Sequence, residues 1–389
     1  MSAFDFMTRH RAEFDAIRHD LHAHPELGLE EHRTAGIVAD KLTEWGIEVH
    51  RGIGRTGVVG VLRSGNGAGS IGLRADMDAL PMQEDNTVSY RSTKPGLMHA
   101  CGHDGHTTML LAAARYLAET RSFDGTVNFI FQPGEEGVGG ALAMLEDGLL
   151  ERFPCDALFG MHNRPGLPVG QFAIRPGAAM AGGAFFDITI KGKGAHGARP
   201  EDSIDPVLVA GHLITALQTI VSRNLPHSDV AVLSITKMTG GDAYNIIPDT
   251  ATLGGTVRCF DSAIMTRIRD LLERTATNIA EGFGARASLD FRLIFAPTVN
   301  DPVHTTAYAD TAAELVGEAN VDRHAEAVMG SEDFSFMLEK TPGAYILAGG
   351  GQGAAPHHPR YNFNDETTPY GAALYARLVE RSLPRMAHD

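Results

Sequence analysis

Cys101, His103 and His106 fall within one short run, His99-Ala100-Cys101-Gly102-His103-Asp104-Gly105-His106. Thiolate and imidazole are the donors that borderline-soft divalent metals prefer. Three further segments offer ligand-type side chains: Glu135-Glu136, His162 and His357-His358. Each has an ordinary reading when taken alone. A lone Cys101 is more often a small buried hydrophobe than a ligand. His106 reads as the first turn of a helix, His162 as a structural histidine and His357-His358 as an exposed pair. Taken together they suffice for two closely spaced ions, which need about four to six protein ligands with positions left open for water. Adjacent carboxylates are usually solvated, but Glu135-Glu136 follows an apolar strand and a Pro-Gly turn. A metal hydrolase needs one carboxylate to bind and another to move protons, and neighbours on a bent loop can divide those tasks. The rival readings leave residues unused. No Gly-x-Ser-x-Gly elbow is present. A Cys101 nucleophile beside His103 gives Glu135, Glu136 and His162 no task. A non-catalytic binder predicts a missing ligand or base, and neither is missing.

The elements that must position these residues alternate. Residues 5–22 show the apolar spacing of one amphipathic helix, and a second is expected over 34–45. Residues 58–62, 71–74 and 126–131 read as strands, with the metal cluster on a loop and a helix over 106–119. This alternation predicts an α/β domain whose loops at strand ends carry the site. From about residue 182 the order becomes strand 184–190, helix 205–221, strands 230–238 and 251–260, helix 262–283 and strand 287–295. That β-α-β-β-α-β order predicts a ferredoxin-like unit inserted into the first domain. The expected fold is therefore an α/β catalytic domain, residues 1–181 and 297–389, with a central mixed sheet flanked by helices. Residues 182–296 form the inserted α+β domain.

Composition bounds the rest. The 389 residues exceed what one core usually serves, and the 43% hydrophobic content supplies ample core material. A net charge of −15 argues against nucleic acid or an anionic membrane as partner. Cys101, Cys155 and Cys259 are too sparse for a disulfide framework. The opening residues carry no basic region followed by an apolar core, and no apolar run reaches the ~20 residues of a membrane span. A cytoplasmic protein is expected.

Longer motifs extend the argument. They are Asp20-Leu21-His22-Ala23-His24-Pro25-Glu26, Leu73-Arg74-Ala75-Asp76-Met77-Asp78-Ala79-Leu80-Pro81, the cysteine-histidine run and Phe131-Gln132-Pro133-Gly134-Glu135-Glu136. Gly192-Lys193-Gly194-Ala195-His196-Gly197, Asn245-Ile246-Ile247-Pro248, Gly330-Ser331-Glu332-Asp333-Phe334 and His357-His358-Pro359 follow. In this order the chain resembles the dinuclear-metal aminoacylase and carboxypeptidase family, in its branch of hippurate hydrolases, N-acyl-amino-acid amidohydrolases and auxin-conjugate hydrolases. The resemblance implies Cys101, His103, Glu136, His162 and His357 as ligands of two divalent ions (manganese, zinc, cobalt or nickel). It implies Glu135 as general base and Asp78 as the residue that orients His103. Asp76-Met77-Asp78 stands where the wider family has His-x-Asp, which leaves Asp76 without an assigned role. His196 reads alone as structural or exposed, and Arg258 as a strand-edge charge. The resemblance makes His196 a donor to the oxyanion, often across to a partner subunit, and makes Asn245 and Arg258 substrate contacts. It also implies a lid and dimerisation role for the inserted domain, and so a homodimer or dimer-based oligomer. The implied substrate is a small N-acyl amino acid. A metallo-carboxypeptidase or dipeptidase is the alternative.

Overall fold

The computed structural model describes residues 1–385, which fall into two compact units. Unit 1 comprises Met1–Ala179, Val299–Glu326 and the chain from Asp333, while unit 2 comprises Met180–Thr298 and Ala327–Glu332. The chain opens with helices α1 (Ala3–Arg9), α2 (Arg11–Ala23) and α3 (His32–Glu44). Strands β1 (Glu48–Ile53), β2 (Gly57–Ser64) and β3 (Ser70–Asp76) lead to helix α4 (His103–Thr120). Strands β4 (Gly125–Gln132), β5 (Ala157–Arg164) and β6 (Phe172–Ala173) follow. Unit 2 contributes β7 (Gly182–Lys191), α5 (Pro206–Leu217), β8 (Ala231–Thr239), β9 (Thr250–Cys259), α6 (Ser262–Gly282) and β10 (Arg286–Phe295). The return to unit 1 runs through α7 (Pro302–Val316), β11 (Val321–Asp322), β12 (Gly343–Gly349) and α8 (Thr368–Ser382).

Unit 1 is built on one eight-stranded mixed sheet, in the order β1-β2-β4-β3-β5-β12-β6-β11. Its centre is parallel: β3 pairs in parallel with β4 and β5, and β12 with β5. Strands buried on both faces are largely apolar, and Leu73, Phe129, Phe131, Phe159 and Ile346 are at most 1% exposed. A parallel sheet delivers its loops at the carboxyl ends of its strands. There β3 ends at Asp76, β4 runs into Pro133–Glu136, β5 carries His162 and β12 runs into the glycine-rich 349–359 segment.

Unit 2 is a four-stranded antiparallel sheet, ordered β8-β9-β7-β10, with α5 and α6 against one face. Val209 and Leu213 of α5 and Ile268 and Leu272 of α6 share a core with Phe186, Ile188 and Leu253. Asp205 and Asp261 cap the two helices by accepting from the N–H groups two and three residues on. The β-α-β-β-α-β order is that of the expected ferredoxin-like unit.

Two expectations need correction. The helix expected over 5–22 is two helices broken at His10 (φ −96°, ψ 10°), which still lets Phe6 and Phe14 both reach the core. The helix expected from residue 106 begins at His103, so part of the metal cluster lies on the first turn of α4 rather than on a loop. Among the described residues no helix is long and apolar enough to cross a membrane.

Candidate metal centre

The carboxyl ends of the parallel strands bring the candidate ligands of unit 1 together. The donor atoms of Cys101, His103 and His162 all lie within 4.8 Å of one another. So do those of Cys101, Glu136 and His357, and those of His103, Glu135 and Glu136. The triplets share members, so the five sequence-assigned ligands and Glu135 form one cluster. Cys101 Sγ lies 3.3 Å from His162 Nε2, and His357 Nε2 lies 3.1 Å from Glu136 Oε1. His357 is held in a left-handed backbone conformation (φ 62°), and its N–H donates to Ala100 O at 2.7 Å. A β-carbon makes that conformation costly, so the strain goes into fixing one candidate ligand against the loop of another.

Hydrogen bonds fix which ring nitrogen faces the centre. His103 Nδ1 donates to Asp78 Oδ1 at 3.0 Å, and Asp78 Oδ2 accepts from the Glu136 N–H at 2.9 Å. His103 Nε2 is buried and without a hydrogen-bond partner. His162 Nδ1 donates to Asn163 O at 2.7 Å, leaving Nε2 beside the cysteine. Burial pushes His162 down to about 3, so this nitrogen presents a lone pair at neutral pH. Burial likewise pushes the Cys101 thiol up to about 12, so a thiolate there needs a cation beside it. Burial disfavours a charged His103, but Asp76, Cys101 and Asp78 outweigh it and hold the imidazole well above its usual value. The His162 lone pair, the unpartnered His103 Nε2, a thiol that needs a cation and nearby carboxylates fit divalent ions of the zinc and manganese class.

Three further residues near the cluster are buried beside it, and two of them are engaged with each other. His106 Nδ1 donates to Asp76 Oδ1 at 2.6 Å, and Nε2 accepts from the Asn163 N–H at 3.1 Å, so both nitrogens are engaged. Asp76 Oδ2 also accepts from Arg74 at 2.7 Å. Burial opposes its charge, yet His103, His106 and Arg74 hold its carboxyl well below the usual range. His99 is buried with neither ring nitrogen partnered, and burial pushes it down to about 4.

Sequence reasoning missed the support beneath this cluster. Arg74, fully buried, bonds Gln132 Oε1, Asp76 and Asp333, and so ties β3, β4 and the 333 segment together. The available signal was a lone arginine inside the apolar strand Ile71-Gly72-Leu73-Arg74-Ala75, since a charge so placed must be paired. A second buried network joins Arg18 and His22 of α2 to Asp104 of α4, with Glu84 on the far side of His22.

The remaining assigned residues lie in unit 2. His196 and Ile246 pair on a two-stranded ribbon, and the Gly197 N–H donates to Asn245 O at 2.7 Å, so His196 and Asn245 are neighbours. Arg258 sits on β9 opposite Gly183 of β7, where any β-carbon would stand 2.1 Å from its guanidinium. Arg258 donates to Ser331 Oγ at 2.6 Å and has no carboxylate partner among the described residues. Burial without a counter-charge lowers its pKa.

Comparison with known proteins gives the family. Residues 72–381 match the model of peptidase family M20/M25/M40. The chain belongs to that family, and it is a hydrolase of amide bonds. It is 43% identical to a hippurate hydrolase of Campylobacter jejuni, over 96% of this chain and 97% of that protein. It is 39% identical to an N-acetylcysteine deacetylase of Bacillus subtilis, over 93% and 95%. The solved structure of a dinuclear metal-binding M20 peptidase from Bacillus subtilis superposes with a TM-score of 0.85 at 36% identity, over 97% and 99% of the two chains.

Proposed function

We propose that this amidohydrolase is metal-dependent and cleaves N-acyl amino acids, of the N-benzoyl or N-acetyl kind, to a carboxylic acid and a free amino acid. The observation that carries the reading is the single cluster of Cys101, His103, Glu135, Glu136, His162 and His357, buried at His103 and Glu135 and open at His357. Cys101, His103, Glu136, His162 and His357 would hold two divalent ions. Such ions supply Lewis-acid polarisation of the scissile carbonyl and acidify a water. Asp78 engages His103 Nδ1, so that Nε2 is the nitrogen left to bind an ion once its proton is displaced. Glu135, 6% exposed and not needed as a ligand, takes the proton of the attacking water on its carboxylate and returns it to the departing amine nitrogen. Arg258, a half-buried cation without an anion, is assigned the substrate carboxylate, with Asn245 beside it in that role. His196 is assigned the hydrogen bond to the oxyanion. Unit 2 is assigned the lid and the contact between two copies. The exposed Val232 and Met238 on edge strand β8 support the second of these roles.

The deciding experiment replaces Glu135 by Gln. The variant is expected to keep its metal content and to lose about 10²–10⁴-fold in kcat on N-benzoylglycine. Turnover near wild type with metals bound would end the reading.

A further inference from the structure

The segment joining α2 to α3 carries no role so far, yet it lies against the loop that bears Glu135. Glu26 O accepts from the Ala79 N–H at 2.8 Å, and Leu27 bridges Ala79. Gly28 approaches the 134–138 loop so closely that a β-carbon there would stand 2.9 Å from Gly134 Cα and 2.6 Å from Val138 Cγ2. Leu29 is left-handed (φ 66°), and its N–H turns back onto the Glu31 carboxylate at 3.0 Å.

Glu31 is the centre of this arrangement. It is wholly buried, and no lysine, arginine or histidine pairs with it among the described residues. Its three partners are neutral donors: the Leu29 N–H, the Thr56 hydroxyl and the Gly134 N–H at 2.8 Å. A buried carboxylate without a cation is a costly way to close a turn, and a neutral side chain can cap a backbone N–H. The third donor explains the choice, because Gly134 immediately precedes Glu135. On the other side of Glu135, the Glu136 N–H donates to Asp78. Glu135 thus stands between two N–H groups, each fixed by a buried carboxylate. Asp78 also orients His103, whereas Glu31 bonds no assigned ligand.

We propose that Glu31 is a positioning residue for the general base: its carboxylate anchors the Gly134 peptide and so sets the direction in which Glu135 points. The proposal rests on the assignment of Glu135 as the base. Groups misplaced by about 1 Å can lose roughly 10²-fold in rate without any change in what they are. The test compares Glu31→Ala, Glu31→Gln and Glu135→Gln by metal content, kcat, KM and the pH profile of kcat on N-benzoylglycine. Glu31→Ala is expected to lose about 10–100-fold in kcat, with KM and metal content unchanged and the acidic limb of the profile displaced. Glu31→Gln keeps an amide oxygen for the Gly134 N–H and is expected to recover most of that loss. If Glu31→Ala does not fold, Thr56→Val frees one carboxylate oxygen and is expected to lower kcat about threefold or more at constant KM. A wild-type kcat and acidic limb in Glu31→Ala, or in Thr56→Val where the alanine variant does not fold, overturns the proposal. Equal losses in Glu31→Ala and Glu31→Gln do so as well. Turnover retained in Glu135→Gln is a different result, since it removes the base itself.

Discussion

Cys101 decides what the centre can hold, because its sulfur belongs both to the triplet with His103 and His162 and to the triplet with Glu136 and His357. One donor common to two groups is placed to serve two ions. Replacing Cys101 by Ala is therefore expected to weaken both, seen as loss of metal on chelator titration. Cys101→Asp exchanges a soft donor for a hard one, so competition is expected to shift at least about tenfold from zinc toward manganese. An unchanged preference would show that the sulfur is not a ligand. Arg258 allows a kinetic test at the same scale. Contacts made equally in ground and transition states act on KM, so Arg258→Ala is expected to raise KM about 10–100-fold with kcat little changed. Lys does not restore a bidentate fork, so Arg258→Lys is expected to recover little. The sequence could nominate Cys101 and His103 as a pair because ligand chemistry restricts the residue types, while the roles of His162, His357 and Arg258 came from the family resemblance. Glu31 and Arg74 were not legible. Nothing in Glu30-Glu31 says which carboxylate turns inward, and two of the three partners named for Arg74 lie 58 and 259 residues away.

At the scale of elements, α4 carries the most. Its first four residues point His103 at Asp78, Asp104 at Arg18 and His22, and His106 at Asp76. The sequence hides this start, since Gly102 is the N-cap and His and Asp are weak helix formers. The brace from α2 has a pH signature. Burial opposes a charged His22, but hydrogen bonds and charge from Asp104 and Glu84 raise it to about 9. A folded pKa above the unfolded value of 6.5 gives stability that is complete below pH 6.5 and lost as pH rises through 9. The shift corresponds to about 3 kcal/mol. Denaturant melts of the metal-free protein are expected to show the midpoint falling between pH 6.5 and 9. His22→Gln is expected to be less stable at pH 6 and to lose that decline. Parallel slopes for the two proteins would show that His22 is neutral in the fold. Glu31 gives the same sign from a different cause. Burial raises its carboxyl from 4.5 to about 7, so it favours the fold fully below pH 4.5 and progressively less as pH rises through 7. Glu31→Gln cannot ionise, and its stability relative to wild type is expected to improve by about 3 kcal/mol between pH 4.5 and 8. A constant difference across that range would rule the effect out.

The whole molecule is two cores, and the sequence showed that better than it showed their interiors. The β-α-β-β-α-β order of unit 2 was readable because its strands are covered on one face and keep the alternation that marks such strands. Within unit 1, β1, β5 and β12 were not read as strands. Gly343-Ala344-Tyr345-Ile346-Leu347-Ala348-Gly349 is a short apolar run, mostly buried on both sides, without the alternation that tells a strand from a buried helix segment. Those unread strands matter, because β5 carries His162 and β12 leads to the segment of His357. All of the assigned metal ligands belong to unit 1, while unit 2 has a core of its own. A ligand that binds only the folded state stabilises it by RT ln(1 + [L]/Kd), about 4 kcal/mol at a thousandfold excess over Kd. For a unit of this size that is an upward shift of roughly 10 °C. Calorimetry is therefore expected to resolve two transitions in the metal-free protein. Added manganese or zinc is expected to raise one of them and leave the other in place. Deletion of residues 182–296, bridged by a short linker, is expected to remove the metal-insensitive transition and keep the responsive one. A single transition that moves as a whole would mean that the two cores unfold as one cooperative block.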